Sequence, residues 1–388
     1  MKIAFVSNFL NHHQLHLCNQ LYKRCDEFYF IATEKIPSDR LAMGYEDMDS
    51  KYPYVIKMHE DNYFKYAAYY IIRTFDVVIF GACSPKLIEF RMKKNKLSFI
   101  YTERFLKKGL WYRFIPSTRD KILDRVVKYK DKNLYVLCAS AYTSYDLSLF
   151  GFTSKCYKWG YFTEVPMVNR RELMKKKDKT HRNILWVGRL INGKRTKDVI
   201  FLAKKLMNQK LDFTINIIGT GNYERQLHML VKLLGLSGKV QFLGTMSPNQ
   251  VKKYMEEANI FLFTSNFREG WGAVINEAMS SGCAVVASHA VGSVPYLIEH
   301  KKNGLIYQSG NCNDLYRKVS KLIKNPKLQY IYGIKAYETM AGIWSPELAA
   351  YRLIEISKNL LHGKYTWYRN GPCSKAEIIK DDWYPVKR

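Results

Sequence analysis

The feature that most constrains this chain is a rhythm: apolar runs of four to six residues alternate with longer amphipathic segments along most of its length. Parallel strands need this pattern, because each must be followed by a connection long enough to return to the same end of the sheet. In the first half the runs lie near residues 2 to 6, 27 to 32, 76 to 80, 97 to 101 and 134 to 138. The rhythm restarts at Ile184 to Gly188 and continues through Phe213 to Gly219, Val240 to Gly244, Phe261 to Phe263 and Ala284 to Ala287. Between the halves, Thr163 to Arg182 is polar, Lys-rich and without apolar periodicity. The expected fold is α/β, with two Rossmann-like domains and largely parallel sheets. The expected bounds are 1–165 for the first domain, 166–182 for a linker, 183–343 for the second domain and 344–388 for a final helix and tail. In doubly wound sheets a ligand lies outside the carboxyl ends of the strands.

Composition narrows the class. A chain of 388 residues with 47% hydrophobic content buries enough surface for two domains and is not disordered. No apolar run reaches the roughly 18 residues needed to span a bilayer, and Met1 to Val6 reads as a strand and not as a leader, so a cytoplasmic, non-spanning protein is expected. The eight cysteines include no C-x-x-C pair and several lie in strand-like runs, which predicts buried free thiols. The outlier is charge. The 62 Lys and Arg against 34 Asp and Glu give +28, which implies an anionic partner. Positive charge recurs at Arg91 to Lys96, Arg104 to Phe114 and Arg170 to Lys177. The middle run interleaves bases with aromatics, a combination suited to an anionic membrane surface, to single-stranded nucleic acid, or to a solvated surface with core-facing rings.

The chemistry concentrates in Arg268-Glu269-Gly270-Trp271-Gly272-Ala273-Val274-Ile275-Asn276-Glu277, which follows the strand-like Ile260 to Thr264. Glycines at a helix start let the backbone approach a ligand, and the N–H groups of Trp271, Gly272 and Ala273 favour a phosphate there. If the helix begins at the turn, Glu277 lies about two turns in, roughly 12 Å from Glu269 along the axis, so the two acids would touch different parts of one extended ligand. A nucleotide sugar is such a ligand. Ser345-Pro346-Glu347 marks another helix start, running to about His362, with an aromatic, basic tail beyond it that is expected to pack back on the first domain.

These blocks resemble the retaining glycosyltransferases of family 4, which have the GT-B architecture of two facing Rossmann-like domains and a final helix returning to the first. Glu269 and Glu277 match the family's E-x7-E motif, with Trp271 where members usually have Phe. Val187-Gly188-Arg189-Leu190 and Lys194 resemble its Gly-Arg-Leu block and following lysine; Ile218-Gly219-Thr220-Gly221 and Leu243-Gly244-Thr245 resemble the next two. The resemblance implies transfer of a sugar, configuration retained, from a nucleotide diphosphate sugar (UDP favoured over GDP) to a hydroxyl of a saccharide or lipid-linked acceptor, without a metal. Arg189 and Lys194 would grip the diphosphate. Glu269 would hold the sugar and Glu277 the ribose, with Gly188, Gly219, Gly221, Thr245, Gly270, Trp271, Gly272 and Ala273 lining the donor site. The first half matches less well. Its first loop, Ser7 to Gln14, lacks the paired glycines common in the family and offers His12 and His13, which would touch an acceptor or merely brace the loop. Where the family often has a histidine, this chain has Glu103, either a contact for acceptor or donor sugar or a neutraliser of Arg104 or Lys107. Envelope polysaccharide or glycolipid synthesis, with peripheral contact at the inner face of an anionic membrane and no specific nucleic acid, follows from combining the resemblance with the charge. The alternatives are a nucleotide-sugar 2-epimerase of the same architecture and a basic nucleic-acid binding protein, which would leave the Glu269 turn without a purpose.

Overall fold

The computed structural model describes residues 1–38, 46–177 and 180–385 and divides the chain into two compact α/β units. The first holds Met1–Thr163 with Trp344–Lys380, the second Glu164–Ile343 with the residues from Asp381 onward. Each is built on one parallel sheet.

In the first unit the strands are β1 (Lys2–Ser7), β2 (Glu27–Ala32), β3 (Val55–Lys57), β4 (Val77–Phe80), β5 (Ser98–Thr102), β6 (Leu134–Cys138) and β7 (Cys156–Lys158), in the order β3-β2-β1-β4-β5-β6-β7. The second has β8 (Asn183–Val187), β9 (Thr214–Ile218), β10 (Val240–Phe242), β11 (Ile260–Phe263), β12 (Ala284–Ser288) and β13 (Leu305–Tyr307), in the order β10-β9-β8-β11-β12-β13. β4, β11 and β12 are buried throughout, as strands with helices on both faces must be, which is why they stand out in the sequence as unbroken apolar runs. The order reverses between β1 and β4 and between β8 and β11. At such switch points the loops after neighbouring strands diverge and leave a crevice.

Several basic groups expected at the surface are structural instead. Arg91 is fully buried, and its guanidinium donates to the carbonyls of Ile72, Phe75, Asp76 and Leu97. Burial pulls its pKa down to about 10. Arg104 and Asp146 form an ion pair with no solvent access at 2.9 Å, and Asp146 also accepts from the Leu106 N–H at 2.8 Å.

Two expectations about connections need correction. The segment 166–182 is not a plain linker: Arg170–Lys175 is a helix whose Asn169 and Glu172 form a reciprocal capping box, and Leu173 and Met174 pack on Ile334 and Tyr337. A six-residue helix is too short to display a period. The neighbouring Lys177 is buried, its ammonium held by the carbonyls of Met255, Glu256 and Ala258. The end of the chain is also divided. Ser345 caps the helix Pro346–Leu361, which packs on the helix His12–Arg24 with Gln20 donating to Glu347 at 3.1 Å. The tail then joins the first sheet's edge, where Lys158 N–H donates to Ser374 O at 2.7 Å. Trp383 and Tyr384, however, lie on the second unit, with Tyr384 Oη donating to the Ile306 carbonyl at 2.7 Å and both rings beside His289.

All eight cysteines are free; Cys18, Cys138, Cys156, Cys283 and Cys373 are buried. Among the described residues no helix is long and apolar enough to cross a membrane.

Candidate active site

In the second unit the loops that leave β8, β9 and β10 are laced together by main-chain hydrogen bonds. Gly188 N–H donates to Ile218 O at 3.0 Å, Leu190 N–H to Thr220 O at 2.8 Å and Gly219 N–H to Gly244 O at 2.7 Å. This lacing uses up the glycines. Gly219 has φ +127°, and a Cβ there would lie 2.0 Å from the Gly188 carbonyl oxygen; one on Gly221 would lie 2.4 Å from that of Leu190. Their missing side chains therefore serve close loop packing. Thr220 and Thr245 place their hydroxyls 3.1 Å apart beside this stack.

At the switch point, the loop after β8 meets the loop after β11. Asn266 N–H donates to Gly193 O at 2.9 Å, and the Thr264 hydroxyl donates to Lys194 O at 2.7 Å while accepting from the buried Trp186 indole at 2.9 Å. These bonds hold the backbone of Lys194 in register with that of Glu269, and the two side chains form an ion pair, 19% and 16% exposed. Arg189, at the start of the same loop, is exposed. The structure thus joins Lys194 and Glu269, with Arg189 a second cation earlier on the loop that carries Lys194.

The turn after Glu269 differs from the simple helix start expected of it. Gly272 has φ +82°, and a Cβ on it would meet the Phe263 ring at 2.2 Å. A left-handed residue cannot continue a right-handed helix, so the helix begins later, at Val274, and runs only to Ser280. Glu277 is therefore in the first turn and not two turns in. Among the described residues the N–H groups of Gly272, Ala273 and Val274 have no acceptor, whereas those of Ile275 and Asn276 turn back to Gly272 O and Ala273 O. Trp271 contributes no ring to a ligand: it is fully buried, its indole donating to Asn276 Oδ1 at 2.9 Å. Gly270 is buried as well. Burial pushes the Glu277 carboxyl up to about 7.

The first unit has its own cavity, of about 1480 Å³, bounded by the loops after β1, β4 and β5. His12, His13, Glu103, Lys107, Lys108 and Tyr161 line it. The His13 ring stacks on Tyr161 with centroids 5.2 Å apart. Glu103 pairs with Lys107 and accepts from Tyr161 Oη at 2.8 Å, while Arg104 is committed to Asp146. Arg125 is spent on the carbonyls of Cys83 and Gly81 at 2.7 and 2.6 Å.

Four supporting residues escape sequence reasoning: Thr264, Asn266, Asn276 and Tyr161. The first two follow a buried strand directly and Asn276 precedes Glu277, so adjacency is the only signal they give; Tyr161 gives none, because its partner is 58 residues away.

Residues 169–339 match the family model of the glycosyl transferases group 1. That stretch contains all of the second unit's site residues. The chain is 31% identical over 162 residues to an uncharacterized glycosyltransferase of Haemophilus influenzae, covering 42% of this chain and 44% of that protein. It is 33% identical over 153 residues to the Campylobacter jejuni N-acetylgalactosamine-N,N'-diacetylbacillosaminyl-diphospho-undecaprenol 4-alpha-N-acetylgalactosaminyltransferase, covering 39% of this chain and 40% of that one. The matched stretches thus span less than half of each relative. By structure, the chain resembles Anabaena HepE in complex with UDP, with a TM-score of 0.70 and 16% identity over 92% of this chain and all of that one. At that identity the likeness establishes the fold, the two-domain α/β fold of GT-B glycosyltransferases.

Proposed function

We propose that the protein is a retaining glycosyltransferase. It moves a sugar from a UDP-sugar to a hydroxyl of a saccharide or lipid-linked acceptor, in the synthesis of envelope polysaccharide or glycolipid. The observation that supports this most is the Lys194–Glu269 pair at the β8/β11 switch point, inside the stretch matched by the glycosyl transferase model. A ligand with both a diphosphate and a sugar can satisfy both halves of that pair: the phosphate takes the ammonium, and the sugar hydroxyls donate to the released carboxylate. The Campylobacter relative is named for a diphospho-undecaprenol-linked acceptor, and HepE is described with UDP. Both bear on the choice of acceptor and donor.

In this reading the diphosphate lies between Arg189, Lys194 and the N–H groups of Gly272, Ala273 and Val274. As the bond from the anomeric carbon to the diphosphate oxygen breaks, the electron pair stays on that oxygen, and Arg189 and Lys194 stabilise the negative charge without a metal. The acceptor hydroxyl attacks from the same face, its proton passes to the leaving diphosphate, and the configuration is kept. Glu269 accepts hydrogen bonds from the transferred sugar and Glu277 from the ribose. Glu103, already hydrogen-bonded to Tyr161, binds the acceptor in the first unit's cavity, and the protein works at the inner face of a membrane.

The test is turnover. The protein is incubated with a panel of UDP- and GDP-sugars and a diphospho-undecaprenol-linked saccharide, and product is followed by mass spectrometry. A product one sugar heavier, with stoichiometric UDP, is expected; hydrolysis only, or no turnover with any donor, rejects the reading.

A further inference from the structure

One aromatic surface has no part in sugar transfer. The helix Asn62–Thr74 buries Ala68, Ile71 and Ile72, while Tyr63, Tyr66 and Tyr70 are 76%, 75% and 68% exposed. Steps of three and four residues stack these rings along one face of the helix. The helix contains no Asp or Glu, and its two charged side chains, Lys65 and Arg73, are both exposed. Tyrosine is amphipathic, with a ring that enters the acyl boundary and a hydroxyl that stays among headgroups, and flanking cations add attraction to anionic lipid.

The position of this helix in the fold supports the same partner. In a parallel sheet each helix starts at the carboxyl ends of the strands, so Tyr63, in the first turn, lies at the end of the sheet where the cavity opens. The turn Leu110–Phe114, with Trp111 and Phe114 at 59% and 71% exposure, leads into the helix Pro116–Arg125 from that same end. Both helices pack on Pro85–Met92 between them, with Tyr69 edge-on to Phe90 at 5.1 Å. Lys108 and Arg113 lie over the Tyr112 and Phe114 rings. Tyr63 and the turn Leu110–Phe114 thus lie at one end of the first unit, and Tyr66 and Tyr70 extend the aromatic face from there along the helix. The rings stand proud of the surface, as insertion into a bilayer interface requires and as a helix-in-groove protein contact does not.

We infer that the exposed face of the helix Asn62–Thr74, together with the turn Leu110–Phe114, seats the first unit on the interface of an anionic lipid bilayer. The inference rests on the reading of the acceptor as lipid-linked and deepens it, because a protein seated this way offers its cavity to the membrane surface.

The experiment is co-sedimentation of the full chain with phosphatidylcholine vesicles, with and without phosphatidylglycerol. Wild type is expected to bind the anionic vesicles, and Tyr63→Ser/Tyr66→Ser/Tyr70→Ser to bind them about tenfold more weakly or worse at unchanged melting temperature. Met229→Ser/Leu233→Ser, which removes two exposed apolar side chains from the second unit, is expected to bind like wild type. Equal binding by the tyrosine variant and wild type overturns the inference. So does wild type that ignores anionic vesicles, or that instead binds single-stranded oligonucleotide through these tyrosines. Turnover with a water-soluble acceptor analogue separates the two readings. If the tyrosine variant keeps it while losing vesicles, both stand; if wild type binds vesicles but turns over no donor, the transfer reading fails.

Discussion

The ammonium of Lys194 and the carboxylate of Glu269 form an ion pair across the point where the second sheet reverses its strand order. Lys194 ends a single 3₁₀ turn, Asn192–Lys194, and Glu269 lies in a loop, so neither is held by a long helix or strand. The Trp186 to Thr264 to Lys194 chain of hydrogen bonds holds one loop, and Asn266 N–H on Gly193 O holds the other to it. In the transfer reading the incoming donor takes over both partners, so Lys194→Ala should lower kcat/KM by about 100-fold with little change in melting temperature. Steady-state kinetics on purified protein check this; a change in KM alone would show that Lys194 only binds ground-state donor.

Gly272→Ala should destabilise the second unit by about 2–4 kcal/mol, because it combines a left-handed φ of +82° with a Cβ 2.2 Å from the Phe263 ring. Denaturant unfolding measures this. Phe263→Leu in the same chain should recover part of the loss, since it removes the clash and leaves the φ penalty.

In the transfer reading, Glu277 should make stability and nucleotide binding respond to pH in opposite directions. Its folded pKa of about 7 lies above the ordinary 4.5, so its neutral form is favoured by folding. Between those values the folded state binds more protons than the unfolded one. Stability is therefore full below about 4.5 and falls as pH rises through 7, by on the order of 2–3 kcal/mol. A ribose hydroxyl donates best to the ionised carboxylate, so UDP affinity should rise from pH 6 to pH 8. Glu277→Gln should flatten both curves, which chemical denaturation and calorimetry at several pH values would show.

In the first unit, Asp146→Ala should cost about 3–5 kcal/mol. It strips a fully buried Arg104 of its counter-charge and the Leu106 N–H of its acceptor. Thermal unfolding checks this, and Arg104→Met/Asp146→Leu should be milder than Asp146→Ala alone.

Legibility in the sequence followed burial and length. Strands such as β11 and β12, buried on both faces, appear as apolar runs, so both sheets could be read. The three-residue strands β3, β7 and β13 could not, whereas β10, equally short, could, because Val240, Phe242 and Leu243 make an apolar run that ends in Gly244. The Glu269 turn was visible as composition, but its conformation depends on the Phe263 ring against Gly272, a contact that the spacing does not encode. Charge misled most. Arg91, Arg104 and Lys177 look like surface cations in the sequence, yet each is buried against carbonyls or a carboxylate from distant segments. Likewise the tyrosines of Asn62–Thr74 could have been core by composition, and only their exposure separates them from Ile71 and Ile72.

The most direct test of the central claim, that the loops after β8 and β11 hold the donor's diphosphate, is calorimetric titration of wild type and Lys194→Ala with UDP and with uridine. Wild type is expected to bind UDP at least about tenfold more tightly than uridine, and Lys194→Ala to lose most of this difference. Equal affinity of wild type for UDP and uridine, or an undiminished preference in Lys194→Ala, would contradict the claim.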